Sequence, residues 1–458
     1  MSRLALSSTV LESDREFTPP AFSPEMWPFP LARLPQPAYL VGGVVRDALL
    51  GRCAEYLDLD FVLPAGAVDV AKTIAKSCNA GFVLLDAERQ IARVVFAGAT
   101  ADFAQQEGAT LDADLRRRDF TVNAIAYDPH TETLIDPLGG WADLKQRQIC
   151  MVSYQNLAED PLRLLRAYRQ AAQLGFAIEP ETRQSIHQLA ARLERVAAER
   201  VQVEIGYLLG ANQGTNWLKA AWQDGLLSVW FPDASAKGLQ RMAAIDRAVS
   251  QLKLTWPEFA VEVLRNLRDR VPTSTRNWLT AAKLACLLSA DPGRAETQLL
   301  QLKYSRAEMR AVLAVCRWFS QNQPATELAG MTLRQQYEFF RSVGDAFPSI
   351  AIAAIASWLQ ASEATCSETK SGTALDKQAA DPITKLTPLI QRFLDPQDPV
   401  AHPVPVLSGK DLIHRLQLSP GPQIGWLLEE LQLARAEGKI ATREEALAFA
   451  KELANWNF

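Results

Sequence analysis

No two cysteines of this 458-residue chain stand at CxxC spacing. Its six cysteines (Cys53, Cys78, Cys150, Cys286, Cys316 and Cys366) are scattered. That excludes a zinc ribbon or a disulfide framework and fits reduced thiols in a cytoplasmic protein. Histidine is scarcer: His130, His187, His402 and His414 form no cluster, and no His-Asp dipeptide occurs. Neither a zinc site nor a metal phosphohydrolase module is therefore expected. The longest apolar stretch, Ala351 to Leu359, falls short of the ~20 residues of a membrane span. The N-terminus lacks a basic start followed by a long apolar run, so no signal peptide is expected. A net charge of −4 gives no global sign of nucleic-acid binding. DNA is not an expected partner, and RNA contact must come from local basic patches.

What is present is 48% hydrophobic and 22% charged residues, enough for an ample core in two to four domains. Residues 1–37 are rich in Ser, Pro and charge, and read as a flexible N-terminal extension. Residues 38–150 alternate strand and helix signals, with strands expected through Phe61–Leu63, Phe82–Leu85 and Ala92–Phe96, and a helix over Ala67–Cys78. A further helix is expected to begin near Leu115. From about Asn156 strand signals nearly vanish. The fold class expected is α+β: a small α/β head (38–150) with a mixed sheet, followed by an all-helical neck (151–215), body (216–361) and tail (382–458). The polar stretch Ser362–Asp381 is placed as a linker.

Three constellations carry chemistry. The first is YLVGGVVRDALLGRCAEYLDLDFVL, from Tyr39 to Leu63. Gly42-Gly43 lets the backbone approach a ligand closely. The helix that follows offers its first amides, and Arg46 a positive charge, to a phosphate. In a strand of period two, Asp58 and Asp60 share one face and Leu59 the other. Two carboxylates beside a phosphate-binding turn point to Mg²⁺. Taken singly, a Gly-Gly is usually a turn and an Asp-x-Asp usually solvated surface; order and spacing give them weight.

The second constellation, Arg116-Arg117-Arg118-Asp119-Phe120-Thr121-Val122-Asn123-Ala124, reads either as a charged helix start or as part of the same cleft. Arginine forks suit a triphosphate, and Asn123 suits a ribose hydroxyl. The third runs from Glu159 to Arg169 (EDPLRLLRAYR). Asp160 is a plausible N-cap and Pro161 suits a first turn. Asp160, Arg163, Arg166 and Arg169 step by three along one face, a pattern shared by any amphipathic helix with a basic side. As a base reader, Asp accepts from an exocyclic amine and Arg donates to ring acceptors. Such a pair accepts cytosine and adenine and rejects uracil and guanine, with Arg166 and Arg169 left for phosphates.

The motifs GGVVRD with DLD, RRDFTVNA, DPLGG and EDPLRLLRAYR, in this order, resemble the tRNA nucleotidyltransferase and poly(A) polymerase family, the bacterial-type (class II) CCA-adding enzymes. ERVQVE (199–204) and the segment from Leu407 are similar to the family's neck and C-terminal parts. The resemblance implies that Asp58 and Asp60 are catalytic and hold Mg²⁺. It implies that Gly43, Arg46 and Arg118 bind nucleotide, that Asp160 and Arg163 select the base, and that Arg166 and Arg169 complete the pocket. The implied reaction is attack of the 3′-hydroxyl of tRNA on the α-phosphate of CTP or ATP, with two metals assisting and pyrophosphate leaving. Body and tail are expected to grip the acceptor arm by shape and phosphates.

Two departures bear on this. The link from Arg46 to Asp58 is slightly long and brings Glu55 nearby as a spare carboxylate. The stretch from Asp102 to Arg116 is shorter than the loop found in members that add all of CCA. A short loop implies addition of CC alone. Asp102 serves either as a third carboxylate or as a turn residue. Rival readings are a poly(A) polymerase or A-adding enzyme, and, in a different class, a non-catalytic RNA-binding protein.

Overall fold

In the computed structural model, residues 20–52, 56–267, 275–321, 328, 330–368 and 382–457 are described. The chain divides into two compact units, Met1–Glu204 with Asn212–Val229, and Ile205–Ala211 with Trp230–Phe458.

The first unit holds a mixed seven-stranded sheet: β1 (Tyr39–Val41), β2 (Leu57–Leu63), β3 (Gly81–Asp86), β4 (Ile91–Val95), β5 (Ala99–Gln105), β6 (Ala126–Asp128) and β7 (Thr133–Ile135), in the order β3-β4-β5-β2-β1-β6-β7. Its centre is the parallel pair β2–β5, which sets Asp58 beside Thr100 and Asp60 beside Asp102. Strand alternation puts Leu59, Phe61 and Phe103 on the opposite face, all fully buried. Phe61 and Phe103 stack there with centroids 5.2 Å apart. The amphipathic helix α2 (Ala67–Ser77) packs against β4 and β5 through Ala71, Ile74 and Ala75.

The part of the N-terminal extension that is described, residues 20–37, is folded. Three single 3₁₀ turns, Pro20–Phe22, Pro24–Met26 and Leu31–Arg33, lay Phe22, Trp27 and Phe29 onto the sheet. Trp27 meets Phe61 edge-on at 5.3 Å, and Phe22 lies 4.4 Å from Tyr127. Prolines stop these residues from continuing as a helix, so they carry no periodic signal, yet each aromatic ring buries a large apolar area. The helix expected near Leu115 ends there instead: α3 is Leu111–Leu115, capped by Thr110 Oγ1, which accepts from the Ala113 N–H at 3.2 Å. Residues 116–119 form a turn, followed by a 3₁₀ turn at Thr121–Asn123 and by β6. The connection from β5 to α3 is only residues 106–110. It is pinned by Gln106 N–H to Leu63 O (2.7 Å), by Glu107 N–H to Asp114 Oδ1 (3.0 Å) and by an Arg117–Glu107 ion pair.

Helices α1 (Gly43–Leu49), α4 (Gly140–Gln146), α5 (Tyr154–Glu159), α6 (Leu162–Leu174), α7 (Pro180–Leu189), α8 (Ala198–Gly210) as far as Glu204, and α9 (Gly214–Gln223) complete this part. The chain breaks between α5 and α6 because the residue before Pro161 is driven out of the α region: Asp160 has φ −123° and ψ 90°. Residues 216–223, expected to open the body, belong to α9 and the first unit.

The second unit is helical throughout its described length, from α10 (Ala236–Thr255) through α11 (Pro257–Leu264), α12 (Trp278–Ala285), α13 (Pro292–Gln301) and α14 (Arg306–Gln321) to the final helix Arg443–Asn457. Two expectations change here. Residues 362–368, placed in a linker, continue the helix Phe347–Glu368, and residues 369–381 lie outside the described residues. The helical stretch Leu333–Ala361 is long and apolar enough to cross a membrane by length and composition, although no single run in the sequence suggested it. Its apolar centre, Ile350–Ala356, is fully buried against α10 and α12, the behaviour of a core helix.

Candidate functional site

The carboxylates come first. Asp58 accepts a short hydrogen bond from Thr100 Oγ1. Asp102 is in mid-strand, not in a turn, and is held by Arg93 in a fork, Nε–Oδ1 2.6 Å and Nη2–Oδ2 2.7 Å. Asp60 lies between them. Burial, then the charges of Asp58 and Asp102, push its carboxyl up to about 7, against the pull of Arg118 and Arg93. Negative charge is thus gathered here beyond what the protein neutralises. Glu55, the spare carboxylate, lies outside the described residues.

Among the described residues no three His, Cys, Asp or Glu side chains gather as a metal cage. The candidate is a two-oxygen pair, Asp58 and Asp60. That suits Mg²⁺, which takes one or two carboxylates and completes its shell with water and phosphate oxygens. A carboxyl whose ionisation is opposed by burial and by two neighbouring carboxylates is one that such an ion would favour in its charged form.

Cations face the pair. A Cβ on Gly42, which has φ +78°, would come 3.3 Å from Arg118 Nη1 and 3.8 Å from Asp60 Oδ2. Glycine there keeps arginine, carboxylate and backbone together. Arg118 gives Nη2 to Asp114 at 3.2 Å, while its buried Nε has no partner among the described residues. A buried donor without an acceptor is costly, and it fits a phosphate oxygen. The Arg46 guanidinium lies over Gly43, where a Cβ would meet Nη2 at 3.4 Å. It forks onto Asp47 (3.0 and 2.9 Å) and reaches Asn123 Oδ1 at 2.8 Å and Gln170 Oε1 at 3.5 Å. With α1 only seven residues long, the arginines rather than a helix end supply most of the positive field.

Asn123 is buried and fully engaged, giving Nδ2 to Asp119 Oδ1 (2.8 Å) and to Gln170 Oε1 (3.0 Å). It is a strut and has no amide left for a ribose. Asp119, also buried, accepts from the Phe120 N–H (2.8 Å) and from Arg166 Nε (2.8 Å). Burial opposes its charge, but Arg166 and the hydrogen bonds from Asn123 and Phe120 outweigh this and hold the carboxyl below the usual carboxylate range. Arg169 gives Nε to Glu204 of α8 at 2.5 Å, and Arg166 Nη1 lies 3.9 Å from the same carboxylate. Arg166 and Arg169, expected to be left for phosphates, are therefore bound into the protein.

Asp160 and Arg163 stand at the α5–α6 break. Asp160 accepts both Arg200 nitrogens, at 3.2 and 2.9 Å, and the Leu162 N–H at 3.3 Å, which leaves about one of its four acceptor sites. Arg163 donates Nη1 to Asn156 O at 3.1 Å and keeps further N–H groups. Burial pulls its pKa down, against the pull of Asp119 and Asp160. Asn156 had no signal in the sequence. Its Nδ2 bonds the carbonyls of Arg116 (2.7 Å) and Arg118 (2.8 Å), fixing the arginine turn to α5. Gln170 was readable only as the residue one turn beyond Arg166.

Comparison with known proteins was made against this geometry. Residues 38–150 match the poly(A) polymerase head domain, 175–237 the probable RNA and SrmB-binding site of polymerase A, and 270–450 a putative second domain of tRNA nucleotidyltransferases. The chain is 46% identical over 433 residues to a CC-adding tRNA nucleotidyltransferase of Synechocystis sp., covering 93% of this chain and 96% of that one. It is 32% identical to an A-adding tRNA nucleotidyltransferase of Deinococcus radiodurans, covering 93% and 97%. In fold it is similar to a CCA-adding enzyme solved with ATP (TM-score 0.66, 22% identity, 92% of each chain).

The buried network generates a stability prediction. A carboxyl with a lowered folded pKa stabilises the fold above its unfolded value, near 3.9, and loses that contribution as pH falls through the folded value. Asp119→Asn is expected to cost about 3–5 kcal/mol at pH 7, the scale for breaking a buried ion pair. It should also flatten the loss of stability below about pH 4. Urea melts from pH 2.5 to 7 check both.

Proposed function

Because the chain belongs to the tRNA nucleotidyltransferase and poly(A) polymerase family, we propose that it adds the two cytidines of the tRNA 3′ end and leaves the terminal A to another enzyme. The observation that carries this is the connection between β5 and α3: five residues, 106–110, held at Gln106 and Glu107 by hydrogen bonds and an ion pair. A loop so short and so pinned has little freedom to rearrange the pocket when the third nucleotide must change from C to A. The 46% identity over nearly the whole length to the Synechocystis CC-adding protein supports the same reading. A cytoplasmic location accords with the free cysteines Cys78, Cys150, Cys286 and Cys316.

The residues divide the work. Arg118, with its unpartnered Nε, and Arg46, with the one Nη2 N–H that its bonds to Asp47, Asn123 and Gln170 leave, take the triphosphate of CTP where Gly42 and Gly43 leave room for it. Asp160 accepts from the cytosine N4 amine with its remaining acceptor site, and Arg163 donates to N3 and O2. The 3′-hydroxyl attacks the α-phosphate and pyrophosphate leaves. Asp58 and Asp60 would hold Mg²⁺, which lowers the pKa of the attacking hydroxyl and offsets charge on the leaving group. The position of Asp60 between two other carboxylates supports that assignment.

The decisive assay offers the protein three tRNA transcripts, ending before CCA, after the first C and after CC, each with labelled CTP or ATP. CMP is expected on the first two and no AMP on the third. AMP on the CC end would overturn the CC restriction, and long A tails would shift the reading to poly(A) polymerase. In the same assay Asp60→Ala is expected to lower kcat by about 10²–10³-fold or more, the scale of losing one electrostatic stabiliser. tRNA binding should be kept; loss of binding instead would undercut the metal assignment.

A further inference from the structure

The second unit contains a groove of about 940 Å³ that the chemistry above does not use. One wall is α14, which brings Arg306, Arg310 and Arg317 to it. At 100° per residue these three lie within an arc of about 40° on one face, and they span about 16 Å along the axis. All three are exposed. None has a carboxylate partner among the described residues; the carboxylates nearest in kind are taken, Glu308 by Arg276 and Glu429 by Arg341. Glu296 and Asp345, both exposed, line the same groove and set a limit on its positive charge.

A second, independent feature points the same way. Trp278 also lines the groove, is 8% exposed, and its buried indole N–H has no hydrogen-bond partner among the described residues. An indole nitrogen can only donate, so the group that satisfies it must be an acceptor. A row of unpaired guanidiniums and a buried donor in one groove suit a ligand rich in phosphate oxygens. The length of the row chooses between ligands. A single triphosphate concentrates its charge at one place, whereas a row of about 16 Å matches successive charges along a strand.

We propose that Arg306, Arg310 and Arg317, with the Trp278 N–H, form a phosphate-binding rail in the second unit that holds a stretch of tRNA backbone. This rests on the reading of the chain as a tRNA nucleotidyltransferase and adds the residues that bind the substrate outside the nucleotide site. Phosphate contacts position the RNA without reading its sequence, so the rail serves every tRNA alike.

The test uses the full-length protein and one tRNA transcript lacking CCA. Its Kd is measured by filter binding from about 50 to 300 mM KCl, which covers the range where counterion release changes affinity most. The variant Arg306→Gln/Arg310→Gln/Arg317→Gln is expected to weaken binding about 10-fold or more near 150 mM. It should reduce the slope of log K against log salt by about 2–3, since each phosphate contact contributes about 0.7–0.9. KM for CTP and kcat at saturating tRNA should not move. The matching triple Arg→Lys variant should restore the slope, which a purely structural role of the guanidiniums would not allow. An unchanged slope in the Gln variant overturns the proposal. So does a shift in CTP KM or in pyrophosphate inhibition without a change in tRNA binding, which would make the groove a small-anion site. Because binding is measured apart from transfer, a protein that binds tRNA with the expected slope change but adds no nucleotide would remove the catalytic reading and still support the rail.

Discussion

The glycine turn, the arginine turn and α6 are tied together through one charge pair, the buried Asp119 with the partly exposed Arg166. A carboxylate taken out of water is tolerated only when its acceptor sites are filled, and here they are filled from three directions. The Phe120 N–H comes from its own turn, Asn123 from the following 3₁₀ turn, and Arg166 from α6. Each donor is in turn shared. Asn123 accepts from Arg46 on α1, and Arg166 lies beside Glu204, which also holds Arg169. The glycine turn, the arginine turn and the EDPLRLLRAYR helix are therefore one network, so a change in any of them reaches the others.

That network separates two kinds of arginine. Arg166 and Arg169 spend their charge on carboxylates inside the protein. Among the described residues Arg118 and Arg163 each keep donors in reserve, Arg118 with a buried Nε that has no partner and Arg163 with one bond to the Asn156 carbonyl. The reserve is what a substrate can use. The carboxylates divide in the same way: Asp102 is neutralised by Arg93, while Asp60 carries a charge that its surroundings resist.

Much of this was legible in the sequence because it follows from local rules. Period-two alternation put Asp58 and Asp60 on one face, and the observed strand does so with Leu59 and Phe61 buried behind them. The proline at 161 marked the start of α6 to within a residue. What was not legible depends on pairing between distant segments. Whether Asp102 faces Asp60 is decided by the register of β2 with β5, across the whole β3–β4 hairpin. The run from Arg116 reads as helix by composition, but Asn156, 38 and 40 residues away, takes the carbonyls of Arg118 and Arg116 and keeps it a turn. Phe22, Trp27 and Phe29 looked like part of a loose extension because 3₁₀ turns broken by proline leave no period to read; only the sheet they cover shows their purpose.

The central claim is that protein side chains at the α5–α6 break, rather than a template, choose the incoming base. The most direct measurement is the ratio of kcat/KM for CTP to that for UTP in the wild-type protein and in Arg163→Ala, with a tRNA lacking CCA as acceptor. Arg163 lies outside the Asp119 network's direct hydrogen bonds, so its loss leaves the fold in place. If it reads cytosine, the ratio falls by about 5–150-fold, corresponding to about 1–3 kcal/mol for one side chain–base pairing. A ratio that stays at the wild-type value would contradict the account.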